Sequence, residues 1–319
     1  MTKTVLISGA SGIVGYGVLK SLKNSGHRLI GTTIYSDSCA SIFCDIFELA
    51  PRTSEPSYMD WLLKIIKKHN VDMIIPSIEA DVIEWNEHRK ILEETGTFVL
   101  LNNPELIKLC ADKWYFYEKL SGNNSRYAIA SSLEPDFYRF ERPFLLKPRH
   151  GFASKGIIKI ENAEAFEKHK DKIGEVLMMQ PIVGDIEEEY TLSAFFDKKS
   201  NLKAHMTLRR KLSNEGFTDR AEVAALKEGE IAINELAEIF KPQGPTNFQF
   251  RRTDEGLKLL EINPRISSAT SIRAAFGYNE SSMSIDYFLG DKEIVQPEIK
   301  KGRAMRYIED LILYDNVNL

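Results

Sequence analysis

Three cysteines in 319 residues, Cys39, Cys44 and Cys110, are too few and too irregularly spaced for a disulfide framework or a cysteine-rich zinc site. No apolar run approaches the ~20 residues that span a bilayer. The short apolar stretch at the N-terminus leads straight into glycines and has no signal-peptide cleavage pattern. Positive charge is not in excess: 42 Lys+Arg face 46 Asp+Glu, a formal charge of −4, which argues against a nucleic-acid footprint. The six histidines are scattered, with no pair at metal-ligand spacing. A phosphate loop of the form G-x-x-x-x-G-K-[ST] is missing. These absences leave a cytoplasmic protein that uses neither membrane nor nucleic acid as the expectation.

With 43% hydrophobic and 28% charged residues the composition is ordinary for a globular chain, and the length allows two or three domains. The first third alternates strands with helices. Thr4-Val5-Leu6-Ile7-Ser8 reads as a buried strand, followed by Gly9-Ala10-Ser11-Gly12-Ile13-Val14-Gly15 and a helix from Tyr16 to Ser25. Leu29–Thr33 is a second strand. Further helices are expected at about 58–69 and 80–94, and strands at 71–76 and 98–101. That alternation predicts a parallel sheet covered on both faces.

Gly9, Gly12 and Gly15, together with Tyr115 and Lys119 in a Y-x-x-x-K, also fit a NAD(P)-dependent oxidoreductase of the short-chain dehydrogenase or epimerase type. Two features oppose it. The second strand ends in Thr32-Thr33-Ile34-Tyr35, without an acid for a ribose 2′-hydroxyl, and the second half of the chain is not α/β in pattern.

That second half is organised around Leu259-Leu260-Glu261-Ile262-Asn263-Pro264-Arg265. Residues two apart on a strand share a face, so Glu261 and Asn263 point the same way. Pro264 ends the strand and releases Arg265 into a loop. A hairpin through Thr253–Gly256 would bring Gln249 of the strand Asn247–Phe250 beside them. Three oxygen-bearing side chains on one wall suit a hard cation such as magnesium, although a polar outer face is the alternative.

Further upstream, Asn102-Asn103-Pro104 opens a helix with Asp112 and Lys113 near its end. The strand Pro143–Pro148 carries Lys147, and the loop Arg149–Gly156 follows with Ser154 at its tip. Such a loop can offer backbone N–H groups to phosphate, or it can simply be a mobile hairpin. Val176–Gly184 runs into Pro181 and reads as an edge strand or an interdomain hinge with free backbone groups. Glu189, at the mouth of the strand 190–196, is the acid best placed for a ribose hydroxyl pair.

Together these pieces resemble the ATP-grasp superfamily, closest in style to a single ATP-grasp unit of the carbamoyl-phosphate synthase large chain. Gln249 with Glu261-Ile262-Asn263-Pro264-Arg265 matches its Q…E-I-N-P-R signature. The resemblance implies an α/β N-terminal parallel-sheet domain (pre-ATP-grasp, Rossmann-like) over 1–105 and an α+β ATP-grasp domain over 106–319. Within the latter it implies a lid at about 125–180 and a central antiparallel sheet at about 181–319. It further implies ATP with Mg2+ or Mn2+, the metal on Gln249, Glu261 and Asn263. Lys113 and Lys147 would contact phosphates beneath the loop containing Gly151, Ser154 and Gly156. Met179, Gln180 and Ile182 would hold adenine and Glu189 the ribose. Arg265 and Lys147 would act on the transferring phosphoryl group, and Arg210, next to Arg209, would face the substrate. Gln180-Pro181 departs from the acid and aromatic found there in many members. The implied activity is a carboxylate–amine ligase that forms ADP and phosphate through an acyl-phosphate, with a small-molecule carboxylate and amine as substrates. The segment Tyr307–Tyr314 could be core or a homodimer interface.

Overall fold

In the computed structural model, residues 2–151, 156–213 and 216–312 are described. Thr4–Ile7 (β1), Arg28–Thr33 (β2), Ile46–Leu49 (β3), Met73–Ile75 (β4) and Phe98–Val99 (β5) form a parallel sheet in the order β3-β2-β1-β4-β5. Val5, Leu6 and Ile7 have no exposed surface, as a central parallel strand with both faces covered requires. Leu6, Ile30, Leu62 and Trp85 pack on one side, and Val5, Ile7, Val18 and Leu22 on the other. The glycine spacing has a packing cause. Gly9 holds φ +55°, and a Cβ on Gly15 would stand 2.5 Å from the Gly9 carbonyl.

Strand β3 goes beyond the expectation, and the helix expected over 80–94 is broken. It runs as Glu79–Glu87 and Arg89–Glu93, with His88 bonding back to the Glu84 carbonyl at 3.0 Å. The sheet order reverses between β1 and β4, which opens a crevice at their C-terminal ends, the usual ligand position of such sheets. Glu79 sits there, just past β4.

Phe144–Pro148 (β6), Ile158–Ile160 (β7) and Leu177–Pro181 (β8) form a small antiparallel sheet in the order β7-β6-β8. It has its own core of Phe144, Leu146, Ile160, Phe166 and Met179. Glu189–Phe196 (β9), Leu202–Leu212 (β10), Thr218–Val223 (β11), Gly244–Thr253 (β12), Gly256–Asn263 (β13) and Arg303–Met305 (β14) form a larger one, in the order β13-β12-β9-β10-β11-β14.

Alternation along β9 decides what each face of this sheet does. Leu192, Ala194 and Phe196 join Phe248, Phe250, Ile233 and Leu236 beneath the helix Lys227–Phe240. Each such Leu or Phe contributes ~1.5–3 kcal/mol by burial. Glu189, Thr191 and Ser193 occupy the other face. Beyond them Phe195, Ala204, Met206 and Leu208 pack under the helices Thr270–Ala275 and Glu280–Gly290.

Those two helices also hold the parallel domain. Asn279 Nδ2 donates to the Ser21 carbonyl at 2.8 Å and Ser21 Oγ to Ser281 Oγ at 2.9 Å. At a second point Asn102 Nδ2 donates to Thr246 Oγ1 at 2.7 Å. Tyr307 and Ile308 are 81% and 95% exposed, so that part of the 307–314 segment is not core; residues 313 and 314 lie outside the described residues. Among the described residues no helix is long and apolar enough to cross a membrane.

Candidate active site

The β12–β13 hairpin sets Gln249 opposite Glu261 and Asn247 opposite Asn263. Asn263 Nδ2 donates to Glu261 Oε1 at 3.0 Å, and Arg265 Nη2 donates to Asn263 Oδ1 at 3.1 Å. Gln249 Oε1 accepts from Arg210 Nη2. This wall offers one carboxylate and two amide oxygens. Among the described residues no three His, Cys, Asp or Glu side chains gather into a metal cage. The donor set therefore fits a magnesium ion that keeps water and phosphate oxygens as its other ligands, and fits poorly an ion that needs a full protein cage.

Between the small sheet and the large one lies a cleft of ≈ 1080 Å³, its open mouth included. Its floor is polar, formed by Glu189, Arg210, Gln249, Arg251 and Glu261, while Ile157, Ile182, Val183 and Ile186 make an apolar collar. A narrow recess of ≈ 20 Å³, room for about one water, lies beside Lys113 and Lys147, walled by Phe116, Ile129, Met178 and Leu259.

The two lysines lack sufficient counter-charge. Burial lowers the Lys147 pKa to about 8; repulsion from Lys113 and Arg251 adds to this, against attraction by Glu261 and Glu189. Burial also lowers Lys113, against attraction by Glu261, Glu79 and Asp112. A cleft that depresses two ammonium groups favours an anionic guest.

Lys113 is not near the end of the helix that starts at Pro104, as the sequence suggested. That helix, Pro104–Ala111, stops, and Asp112 caps a new one, Lys113–Gly122, by accepting from Trp114 N at 2.8 Å. Lys113 Nζ donates to the Gly151 carbonyl at 2.6 Å. Arg149 donates to both Asp112 oxygens, at 3.3 and 2.6 Å. Burial pushes the Asp112 carboxyl up, but the bonds from Arg149 and Trp114 N prevail and hold it below the usual carboxylate range. Gly151 and Gly156, at φ +119° and +77°, bound the loop; Ser154 lies outside the described residues.

Met179 departs from its expected place. Strand alternation turns its side chain into the small sheet's core, and its N–H and C=O both pair with Ser132, at 2.8 and 3.0 Å. Met178 faces the recess instead, while Gln180, Pro181 and Ile182 line the cleft. Gln180 Nε2 is tied to Ser131 Oγ at 3.0 Å.

Glu189 is buried and engaged at both oxygens. Arg210 donates to Oε1 from Nε at 3.1 Å and Nη2 at 2.8 Å, and Arg251 Nη2 donates to Oε2 at 2.6 Å. Alternation also separates the neighbouring arginines: Arg210 faces the cleft, whereas Arg209 pairs with Glu222 at 2.7 Å on the reverse face. Arg251 was not anticipated, although it lies two residues from Gln249 and so shares its face.

Glu79 and Cys110 were also missed. Glu79 Oε2 lies 3.5 Å from Arg265 Nη2. Burial raises the Cys110 thiol, with Glu79 and Glu261 adding to the effect. The crevice rule for parallel sheets was the available signal for Glu79. Tyr115 is 54% exposed and Lys119 is exposed; neither lines the cleft. The Y-x-x-x-K lies on a helix surface, which removes the second of the two signals behind the oxidoreductase reading.

Comparison with known proteins adds to this picture. Residues 176–311 match the family model described as ATP-grasp in the biosynthetic pathway with Ter operon, and residues 9–100 match the PylC-like N-terminal domain. The carbamoyl phosphate synthase large chain of Campylobacter jejuni is 24% identical over 326 aligned positions, covering 86% of this chain but 28% of that protein. Among solved structures, N5-carboxyaminoimidazole synthetase from Staphylococcus aureus, complexed with ADP, superposes with a TM-score of 0.74 at 16% identity, over 94% of this chain and 81% of the other. The biotin carboxylase domain of Hydrogenobacter thermophilus 2-oxoglutarate carboxylase, in complex with MgADP, ADP and bicarbonate, gives 0.73 at 16% identity, over 95% and 73%. At such identity the structural likeness is one of fold.

Proposed function

The chain carries an ATP-grasp unit behind a PylC-like N-terminal domain, and we propose that it is an ATP- and magnesium-dependent ligase joining a small-molecule carboxylate to an amine or related nucleophile. The observation that carries this reading is the pair of charge-starved lysines, Lys113 and Lys147, facing Glu261 across one cleft.

In this reading Lys113 and Lys147 bind the polyphosphate as point charges. Lys113 exchanges the Gly151 carbonyl for a phosphate oxygen. The base lies against Gln180–Ile182 at the edge of the cleft. Glu261 and Asn263, with Gln249, would hold magnesium (manganese is the alternative), which supplies charge neutralisation at the β- and γ-oxygens. Arg265 stands beside this wall and stabilises charge on the transferring group. A substrate carboxylate oxygen attacks the γ-phosphorus and ADP leaves. The amine then displaces phosphate from the acyl-phosphate. Arg210 braces Glu189 and Gln249 and so acts through them. A homodimer using the exposed Tyr307 and Ile308 belongs to the same proposal.

The test is a screen of carboxylates and amines for magnesium-dependent ADP release, with Glu261→Ala as control. Loss of about 10²–10³ in kcat is expected on removing such a group. Wild-type turnover in a folded Glu261→Ala protein would sink the metal assignment.

A further inference from the structure

Resting on the nucleotide reading above, we propose that the ribose is read by Glu189 and Arg251 together, one accepting and one donating, so that Arg251 sets selectivity for ribonucleotides. The lone pairs of Glu189 decide the point. A carboxylate offers about four acceptor positions, two on each oxygen. Oε1 already accepts twice from Arg210, and Oε2 accepts from Arg251 Nη2. One acceptor position remains, on Oε2. A diol that gave both its protons to this carboxylate would have to displace an arginine.

Arg210 is badly placed to yield. Its side chain is 5% exposed and also donates to Gln249 Oε1. Arg251 sits nearer the rim at 18% exposed, and its other bond, Nη1 to the Val183 carbonyl, is long at 3.4 Å. Of the five N–H donors a guanidinium carries, these two contacts use two, and Nε has no partner. Arg251, Val183 and Glu189 line the same part of the cleft. One ribose hydroxyl therefore donates to Glu189 Oε2 while its neighbour accepts from Arg251. The ion pair between the two holds both in place before the nucleotide arrives, so little ordering is left to do on binding. A sugar lacking one hydroxyl leaves one of these groups unanswered, which weakens binding about 10- to 100-fold.

The test is calorimetric titration of the full chain with MgADP, its 2′-deoxy analogue and its 3′-deoxy analogue. Wild type is expected to favour ADP at least tenfold over one of the two. In Arg251→Met and in Arg251→Gln that ratio is expected to fall below about threefold, measured on protein whose thermal melt shows it folded; some loss of stability is expected, although Glu189 keeps both bonds from Arg210. A loss of packing alone would weaken all three ligands equally and leave the ratio unchanged. The wild-type ratio in either folded variant overturns the inference, as does a wild type that does not discriminate. If wild type binds none of the three, the nucleotide reading itself fails, and this inference with it.

Discussion

Arg265 Nη2 lies 3.5 Å from Glu79 Oε2, so an ion pair joins the C-terminal end of the parallel sheet to the end of the β12–β13 hairpin. The side chains are 13% and 27% exposed, and at such exposure a pair contributes only about 0–1 kcal/mol to stability. Its importance lies in placement. Glu79 is the parallel domain's acid beside Arg265, and Cys110 and Lys113 feel its charge as well. An incoming carboxylate would compete for Arg265, and an incoming amine would be drawn to Glu79.

Glu79→Gln should therefore separate stability from chemistry. The melting temperature and MgADP affinity are expected to stay near wild type, while kcat/KM for the acid or amine found by screening falls about tenfold or more, the worth of a charged hydrogen bond. An unchanged kcat/KM would remove Glu79 from the substrate site.

Lys147 gives a pH dependence of defined sign. Its pKa of about 8 in the folded chain, set first by burial, lies below the ordinary ~10.4 of the unfolded chain. Between these values the unfolded state binds more protons, so this group makes stability rise with pH from about 8 upward. Nucleotide affinity should move the other way. Above pH 8 the ammonium is lost and MgADP binding weakens; near pH 8 binding takes up protons, because the phosphates restore the charge. Titration in two buffers of different ionisation enthalpy reads this directly. Lys147→Met should abolish the proton uptake, and its persistence there would assign it to another group.

Asp112 and Arg149 tie the stem of the 151–156 loop to the cap of the helix Lys113–Gly122, with side chains 6% and 15% exposed. Breaking such a pair strands the partner and costs roughly 3–5 kcal/mol. Asp112→Asn, which keeps the shape and part of the cap, should lose about 2–4 kcal/mol in urea denaturation. Because the Asp112 pKa is lowered on folding, its contribution is complete above the unfolded value of ~3.9 and fades as pH falls through the folded one. The variant's deficit should therefore shrink in acid; a constant deficit would mean that charge is not its cause.

The hairpin was legible in the sequence because two rules met there. Period two put Glu261 and Asn263 on one face, and the Thr253–Gly256 turn fixed Gln249 opposite Glu261. The parallel domain was legible from its apolar runs. What stayed hidden depended on partners distant in sequence. Nothing local says whether Met178 or Met179 faces the recess, since the pairing of Met179 with Ser132 decides it. Arg209 and Arg210 could not be told apart without the strand register on both sides of β10. The occupancy of Glu189 depends on Arg251, 62 residues away. β14, only three residues long, pairs with β11 across a wide sequence gap.

The buried pair Arg273 and Glu280 behaves differently from the pairs in the cleft. Both side chains are 0% exposed, with Nη1 3.1 Å from Glu280 Oε1. Arg273 also donates to Ser267 Oγ at 2.7 Å and to Thr191 Oγ1 at 3.0 Å, and Glu280 Oε2 accepts from Ser193. The guanidinium thus joins the loop after Arg265, the central strand β9 and the helix Glu280–Gly290. Desolvation opposes these gains: burial lowers the Arg273 pKa, and its Nε has no partner. Removing one charge leaves the other buried alone, so Arg273→Met alone and Glu280→Leu alone should each cost about 3–5 kcal/mol. Replacing both at once, Arg273→Met with Glu280→Leu, removes both desolvation penalties and should cost far less than the two single changes summed. Denaturant melts of the four proteins give the coupling energy. A double variant as unstable as that sum would show that the two charges do not depend on each other, and that the hydroxyls of Ser267, Thr191 and Ser193 hold each one independently.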